Sequence, residues 1–323
     1  MIAIIYPPLH QERGIFYACE IRMIISASRR SDIPAFYMDW FLERLRQGFV
    51  LVRNPMNPRQ VSRVDLTPAQ VDCIVFWTKN PHPMLDKLPE IESYPYYVQF
   101  TINPYESDLE ANLPAKQTLL DTFRKLADRI GPERMVWRYS PVIFTDRYDE
   151  DRHLAFFGNV ADRLAGYTGK CNLAFLDIYA KIRKNMRALG VKEASEEVKN
   201  RMAGAFHAIA RRAGMRLGAC GNIDLDAAGV PKACCVDAEL IERLVRRCMP
   251  YRKDPGQRPD CYCSVSVDVG AYNTCANGCR YCYANHSPDL AARRLENHDS
   301  LSPLLCDVLK PDDIVTVRKA GRR

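Results

Sequence analysis

Short apolar runs that recur along the chain constrain its fold more than any other feature. Each run is continuous rather than alternating, and most are followed by apolar residues at helical spacing. Parallel strands that are buried on both faces have this pattern. The sequence therefore predicts strands at residues 23–28, 73–78, 97–102, 135–139, 173–178, 215–219 and 265–269.

Strands that alternate with helices in this way predict an α/β fold on a parallel sheet. The length of 323 residues fits a TIM-like (β/α) barrel, whole or partial, with functional loops at the carboxyl ends of its strands. An open doubly wound sheet is the alternative. We expect a single barrel domain over residues 23–323, rich in cysteine over 220–286, and an extension of little structural role over 1–22.

Several residues mark where the helices begin. Pro34 and Pro114 stand where a first helical residue is expected, and Ser195 and Asp237 are expected N-caps. The apolar stripes that follow are assigned to the core. Cys248 belongs to one of these stripes, so we expect it to be buried.

Composition narrows the class of protein. The formal net charge of +7 permits a nucleic-acid partner but does not require one. No apolar run approaches the roughly 20 residues that span a bilayer, and the N-terminus lacks the basic region of a secretion signal. We therefore expect a cytoplasmic protein with no membrane segment. In that compartment most of the 13 cysteines would be metal ligands, catalytic groups or buried apolar residues rather than disulfides.

Three cysteines follow the last predicted strand: Cys275, Cys279 and Cys282, which we call the loop cysteines. Thiolates spaced this closely can converge on one metal centre if the loop wraps around it, and Gly278 gives the backbone that freedom. Electron-transfer clusters normally use four cysteines, so three leave one iron open. A zinc site that adds His286 is the alternative.

This spacing, with Tyr281 before the last cysteine, resembles the signature of the radical S-adenosylmethionine (SAM) superfamily. The chain also resembles a family of unknown function whose C-terminal cysteines imitate that signature. The resemblance implies a [4Fe–4S] cluster and SAM bound at its open iron. It implies an oxygen-sensitive enzyme that cleaves SAM reductively to a 5′-deoxyadenosyl radical, with an electron donor such as flavodoxin or ferredoxin and an unknown substrate. The segments that carry it are 25–37, 51–58, 75–81, 96–102, 138–144 and 281–285.

In most members of that superfamily the cysteines follow the first barrel strand, whereas here they follow the last predicted strand. A closed barrel has no intrinsic first strand. If the strand at 265–269 stands beside the strand at 23–28, the cysteine loop takes its usual place in a circularly permuted barrel.

Two of these segments are also similar to stretches of spore photoproduct lyase. That similarity implies Lys79, Thr101 and Arg138 as SAM-contacting residues, since the SAM carboxylate suits a cationic or hydroxyl partner. The alternative for each is an ordinary surface charge or a capping hydroxyl. A nucleobase substrate would rest on this analogy alone. Six other residues follow predicted strands and are expected at the same open end of the barrel, which we call the mouth. They could line a substrate pocket or pair with each other. They are Arg29, Arg30, Asp32, Asp177, Tyr179 and Lys181.

A second group of four cysteines is a candidate for another iron–sulfur cluster or a structural zinc, with Cys234 as a fifth candidate ligand. A full strand over 264–269 would span roughly 20 Å and separate the members of the group. Either that strand is shorter and the chain folds over the top, or the cysteines do not share a metal. The four, which we call the upstream cysteines, are Cys220, Cys235, Cys261 and Cys263.

A different class of function also stays open. A zinc-stabilised module that binds nucleic acid or protein would show no redox chemistry, and its binding to polyanions would depend on salt. No basic strand pair with stacking aromatics is recognisable in the sequence, which weakens this alternative.

Overall fold

The computed structural model describes residues 22–220, 225–249 and 252–318. Apart from Arg22, the expected extension over residues 1–22 lies outside the described residues. No helix in the described ranges is long and apolar enough to cross a bilayer.

Seven of the ten strands form one parallel sheet, in the order β8-β7-β6-β5-β4-β1-β9. The predicted α/β fold with a parallel sheet is confirmed, and each of the seven predicted strands is present. The strands are β1 (Met23–Ala27), β2 (Phe49–Arg53), β3 (Gln60–Asp65), β4 (Val71–Thr78), β5 (Tyr96–Thr101), β6 (Met135–Val142), β7 (Lys170–Phe175), β8 (Arg216–Cys220), β9 (Val267–Asp268) and β10 (Ile314–Val317).

The last strand of the sheet lies beside the first strand of the chain. Ile25 of β1 pairs with Val267 of β9, and Ser26 pairs with Asp268. This neighbourhood is the condition that the sequence analysis set for a circularly permuted barrel. The predicted length was wrong, however, because β9 has only two residues.

β8 and β9 are the two edges of the sheet, and irregular chain covers the gap between them, which we call the seam. The amide of Ala219 donates to Pro231 O at 2.9 Å, and the amide of Ser264 donates to Val236 O at 3.0 Å. No strand ladder joins β8 to β9 in the described ranges. The parallel sheet is thus not closed by strands at this seam.

Nine α-helices and two 3₁₀ helices are described. As expected, the Ser195 hydroxyl caps α6 by accepting from Val198 N, and the Asp237 carboxylate caps α8. The helix that begins near Pro34 breaks at Tyr37 into two. The helices are α1 (Ile33–Phe36), α2 (Met38–Gln47), α3 (Lys116–Ile130), α4 (Glu150–Leu164), α5 (Arg183–Ala188), α6 (Glu196–Arg212), α7 (Leu225–Ala228), α8 (Ala238–Val245) and α9 (Pro288–Glu296), with 3₁₀ helices at His82–Ile91 and Pro132–Arg134.

The two faces of the sheet are covered differently. Apolar residues of α2, α3, α4 and α6 pack on one face in the largest core cluster. On the other, inner face, Trp77, Tyr97 and Val136 pack against Ile241 of α8 and against upstream cysteines. Three of the four upstream cysteines therefore lie inside the fold. The expectation for Cys248 was wrong: α8 ends at Val245, before it, and Cys248 is exposed.

A small second sheet, in the order β10-β3-β2, was not predicted. Its strands β2 and β3 form an antiparallel pair, and β10 adds to β3 in parallel. The side chains of β10 are exposed, so the burial pattern that revealed the other strands is missing there.

Candidate functional site

The loop cysteines lie in the segment that follows β9, beyond the carboxyl edge of the parallel sheet. The Cys275 amide donates to Asn285 Oδ1 at 3.1 Å, and Asn285 Nδ2 donates to Cys282 Sγ at 3.7 Å. These bonds draw the two ends of the loop together. The three thiols lie close enough to interact electrostatically, and all three are free of disulfides. Burial raises the pKa of Cys279 to about 12.

The loop is held against the segment that follows β5. The amide of Arg280 donates to Leu109 O at 3.0 Å. Gly278 has a φ of +69°, and a Cβ at this position would lie 3.0 Å from Asn112 Nδ2 and 3.1 Å from Ala111 Cβ. The sequence prediction that Gly278 lets the loop wrap is therefore consistent with its backbone.

Asp32 joins three parts of the site. Its carboxylate accepts hydrogen bonds from Asn277 Nδ2 at 2.8 Å, from the amide of Lys79 at 2.7 Å and from the amide of Ala35 at 3.1 Å. Burial raises the pKa of Asp32 above its ordinary value. Asp32 thus fixes the cysteine loop to the end of β4 and the start of α1, rather than lining an open pocket.

Glu110 has a buried carboxylate that pairs with charged groups next to the cysteine loop. It was not singled out in the sequence analysis. Glu110 is only 3% exposed, and its oxygens lie 2.7 Å from Lys79 Nζ, 2.7 Å from Lys116 Nζ and 2.5 Å from the Tyr281 hydroxyl. Burial would raise the pKa of Glu110, but the two ammonium groups outweigh it and the pKa is lowered. The Lys79 charge also acts on Cys279, where it opposes the effect of burial.

The carboxylate of Asp268 in β9 accepts hydrogen bonds from several donors, most of them at the end of β1. It accepts from Ser28 Oγ at 2.5 Å, from the amide of Arg29 at 2.7 Å, from Arg30 Nε at 3.0 Å and from the amide of Gly270 at 3.0 Å. Burial works against the charge of Asp268, yet the Arg30 guanidinium and these hydrogen bonds leave its pKa lowered. The carboxylate therefore anchors the strand from which the cysteine loop departs.

The upstream cysteines come together at the seam. Cys235, Cys261 and Cys263 belong to one buried cluster on the inner face, and Cys220 interacts electrostatically with Cys263. The hydrogen bonds from Cys235 and Cys261 hold the pKa of the Cys263 thiol well below its ordinary value. β9 is short, as the first of the two alternatives from the sequence requires, and Cys261 and Cys263 pack in the same buried cluster as Cys235.

Two features of the sheet determine the position of Cys235. Gly218 of β8 has no side chain, and a Cβ there would lie 3.1 Å from Ala233 Cα, so the segment can lie directly on the strand. The carbonyl of Cys235 accepts from Tyr97 Oη at 2.6 Å and from Gln99 Nε2 at 2.8 Å. The cysteine is thereby fixed over the inner face of β5.

The three residues implied as SAM contacts lie on neighbouring strands of the parallel sheet: Lys79 follows β4, Thr101 ends β5 and Arg138 belongs to β6. Lys79 lies beside Cys279, as the previous contacts show. Thr101 is buried at the end of β5 and pairs in register with Arg138 of β6. Arg138 itself interacts electrostatically with Cys220 and Cys235 of the upstream group.

Neither cysteine group is already arranged as a metal site: within the described ranges, no set of three or more His, Cys, Asp and Glu side chains has that geometry. The donor set at the loop is three thiols. His286, the fourth ligand of the zinc alternative, has its Nε2 atom 3.4 Å from Asn273 Nδ2. That nitrogen already has a protein partner, and the three loop thiols would leave one iron of a [4Fe–4S] cluster without a protein ligand.

Residues 24–284 match a family model whose description is Domain of unknown function (DUF1848). The chain belongs to this family. No curated protein matches the sequence. The match to DUF1848 spans β1 to the end of the cysteine loop, so both cysteine groups lie inside the family domain.

Three expected mouth residues of this DUF1848 protein are engaged with other side chains. Asp177 forms an ion pair with Arg258. The ring of Tyr179 lies 5.7 Å from that of Tyr283, and the ammonium of Lys181 lies 5.5 Å from the ring centre of Tyr272. The partners Arg258, Tyr283 and Tyr272 lie outside the six residues, so these contacts are not the mutual pairs that the sequence offered as one alternative.

Proposed function

We propose that this protein is a radical SAM enzyme in which Cys275, Cys279 and Cys282 hold a [4Fe–4S] cluster with one iron open to SAM. The observation that supports this most is the pairing of β9 with β1. It puts three neighbouring thiols at the carboxyl edge of a parallel α/β sheet, where such folds place their active sites. With SAM at the open iron, the cluster supplies one-electron cleavage of the sulfonium to methionine and a 5′-deoxyadenosyl radical.

We infer further that the parallel sheet is an incomplete, circularly permuted barrel. The strand order β1-β4-β5-β6-β7-β8 follows the chain, and β9 stands on the other side of β1. Moving β9 to the start of the chain would restore the order in which the cysteine loop follows the first strand. The irregular seam between β8 and β9 takes the place of the missing strand ladder.

The residues around the loop can exclude water and balance charge. The ring of Tyr281 is 6% exposed, belongs to the same apolar cluster as Cys279, and lies 5.5 Å from Lys79 Nζ. We propose that Lys79 remains beside the cluster, where its ammonium offsets the negative charge of thiolates and sulfides. Thr101 is the next hydroxyl along the sheet edge toward Arg138, and we retain it as a SAM contact.

The test is reductive cleavage of SAM by the full chain. Protein reconstituted with iron and sulfide under anaerobic conditions and reduced with dithionite, in place of a flavodoxin or ferredoxin, should form 5′-deoxyadenosine and methionine. Cys279→Ala should abolish this activity. Cys248→Ala is the matched control, because Cys248 is exposed and belongs to neither group. A wild-type protein that takes up zinc at the loop and leaves SAM intact would refute the proposal.

A further inference from the structure

The seam holds titratable groups that the proposed reaction does not use. Cys235, Cys261 and Cys263 pack in one buried cluster there, and Cys220 interacts electrostatically with Cys263. They come from three separate stretches of chain. Cys220 ends β8, and Cys261 and Cys263 lie on the segment that leads into β9.

Buried hydrogen-bond donors without a partner surround this group. Among the described residues, Arg29 Nη2, Arg138 Nε and Trp77 Nε1 are buried and donate to nothing. Both guanidinium groups lie over the Trp77 ring, 5.0 and 4.9 Å from its centre. Arg29 interacts electrostatically with Cys235 and Cys263.

A buried hydrogen-bond donor without a partner destabilises the folded chain, and a charged donor does so more strongly. Three such donors beside four thiols are therefore costly for the bare polypeptide. An anionic group with several acceptor atoms at the thiols would satisfy them. Asn172 already donates from its Nδ2 atom toward Cys235 Sγ at 3.9 Å, and the amide of Val236 donates to Cys263 Sγ at 3.4 Å.

We propose that Cys220, Cys235, Cys261 and Cys263 bind a second iron–sulfur cluster, to which Arg29, Arg138 and Trp77 donate hydrogen bonds. The site stands on its own contacts and does not depend on the reaction proposed for the loop cysteines. It also assigns Arg138 to the second cluster rather than to SAM.

The unpartnered donors favour an iron–sulfur cluster over zinc. A zinc ion among four thiolates adds a cation and no acceptor atom, so donors that fail to reach the present sulfurs would still lack a partner. A cubane cluster adds inorganic sulfides, which accept hydrogen bonds from the surrounding protein. The two guanidinium groups also offset the negative charge of the thiolates.

The position of the site gives it a structural role in addition. It ties the end of β8 to the chain that enters β9, across the seam that no strand ladder closes. Tyr283, directly after Cys282, lies with its hydroxyl 3.4 Å from Arg29 O. The second cluster and the loop cysteines are thus connected through Arg29 and Tyr283.

The test is the metal and sulfide content of the full chain reconstituted anaerobically with iron and sulfide. The wild type should hold about eight irons and about eight sulfides, as two cubane clusters. Cys263→Ala should lower both to about four and keep the loop cluster. Cys279→Ala with Cys282→Ala should also lower both to about four, with the upstream cluster kept. Cys248→Ala should leave the content unchanged.

Three results would overturn the proposal. One is a wild type with about four irons and a zinc ion that Cys263→Ala loses, since zinc would then occupy the site. Another is a content that Cys263→Ala does not change. The third is that a variant without Cys279 and Cys282 binds no iron. This variant keeps all four upstream cysteines, so the result does not depend on whether Cys263→Ala folds. Because SAM cleavage is measured separately, failure of this site and failure of the proposed activity are distinguishable.

A further measurement tests the hydrogen-bond donors. In the variant without Cys279 and Cys282, Arg138→Met should lower the reduction potential of the remaining cluster, because a nearby positive charge is lost. Arg187→Met, on the exposed side of α5, is the control and should leave the potential unchanged. An unchanged potential in Arg138→Met would contradict the role assigned to Arg138.

Discussion

The ammonium of Lys79 lies 2.7 Å from the carboxylate of Glu110, in a buried pair directly beneath the cysteine loop. Lys79 is brought to this point by the end of β4, and Glu110 by the segment that follows β5. Lys116 also reaches Glu110, but its side chain is 22% exposed and can turn to solvent. Lys79 is therefore the partner that depends on Glu110.

Removal of Glu110 should destabilise the fold strongly. We expect Glu110→Ala to lower the free energy of unfolding by about 3–5 kcal/mol, because it leaves the Lys79 charge buried and unpaired. Replacement of both members, Lys79→Met with Glu110→Leu, should cost less than Glu110→Ala alone. Denaturant unfolding under reducing conditions measures each value.

The control for this experiment is an exposed ion pair. Glu150 and Arg201 lie 2.8 Å apart on the surface of α4 and α6, and Glu150→Ala should change the free energy of unfolding by less than about 1 kcal/mol. If Glu110→Ala costs no more than Glu150→Ala, the buried pair does not have the importance given to it here.

The strands were predictable because each is a short, continuous apolar run in the sequence. The ion pairs beside the cysteine loop have no such local pattern and were not predictable. The run around Cys73–Thr78 is apolar on both faces, and the structure places it inside the sheet as β4, between β5 and β1. Nothing in the residues around Glu110 distinguishes a buried carboxylate from a surface one. Its partner Lys79 lies 31 positions away along the chain, so only the folded arrangement shows the pair.

The position of the cysteine motif raised the neighbourhood of β9 and β1 only as the condition for a permuted barrel, and the length of β9 was not predictable. Val265 looks like a strand residue, yet its amide bonds to Arg252 O, and β9 begins only at Val267. The grouping of the upstream cysteines depends on that shortness. The interaction of Arg138 with Cys220 was also missed. The sequence predicts where a strand ends, but it does not predict which side chains of other strands lie near that end.

Asp268 should be required for the junction of β1 and β9. Asp268→Asn keeps the size of the side chain but removes the charge that pairs with Arg30 Nε and replaces one acceptor oxygen with a donor. We expect it to lower the free energy of unfolding by about 3–5 kcal/mol and to reduce iron bound at the loop. Unfolding and iron content of the same preparation check this. Normal iron content in Asp268→Asn would show that the loop does not depend on this junction.

His153 should make stability depend on pH. It is buried, with Nε2 2.9 Å from Ile143 O and Nδ1 2.6 Å from the Tyr139 hydroxyl. Because a carbonyl only accepts, Nε2 carries the proton and Nδ1 accepts from Tyr139. Burial lowers the pKa of His153 from 6.5 to about 4. The folded state thus binds fewer protons than the unfolded state between these values.

The sign of the effect follows from that difference. Stability from neutral His153 is fully present above pH 6.5 and is lost as the pH falls toward about 4, by up to roughly 3 kcal/mol. Unfolding free energies measured between pH 7 and pH 5 should fall with a slope of at most about 1.4 kcal/mol per unit from this group. His153→Asn should remove that part of the slope. His298, whose pKa burial also lowers, is the control, since His298→Asn should leave the His153 contribution in place.

Gly278→Ala should disturb the cysteine loop by two separable effects. One is the backbone, because a φ of +69° is unfavourable for alanine by about 1 kcal/mol. The other is contact with the segment after β5, since a new Cβ would lie 3.0 Å from Asn112 Nδ2. Gly190 provides the matched control, with a φ of +62° and nothing within 4 Å of its added Cβ.

Gly190→Ala should therefore show the backbone cost alone and retain its iron. Gly278→Ala should lose more stability than Gly190→Ala and should hold less iron at the loop, because the added methyl group pushes the cysteine loop away from Asn112. The iron content of each variant in a chain without Cys263 isolates the loop cluster. Equal iron content in the two glycine variants would mean that the loop can leave the segment after β5 and still bind its cluster.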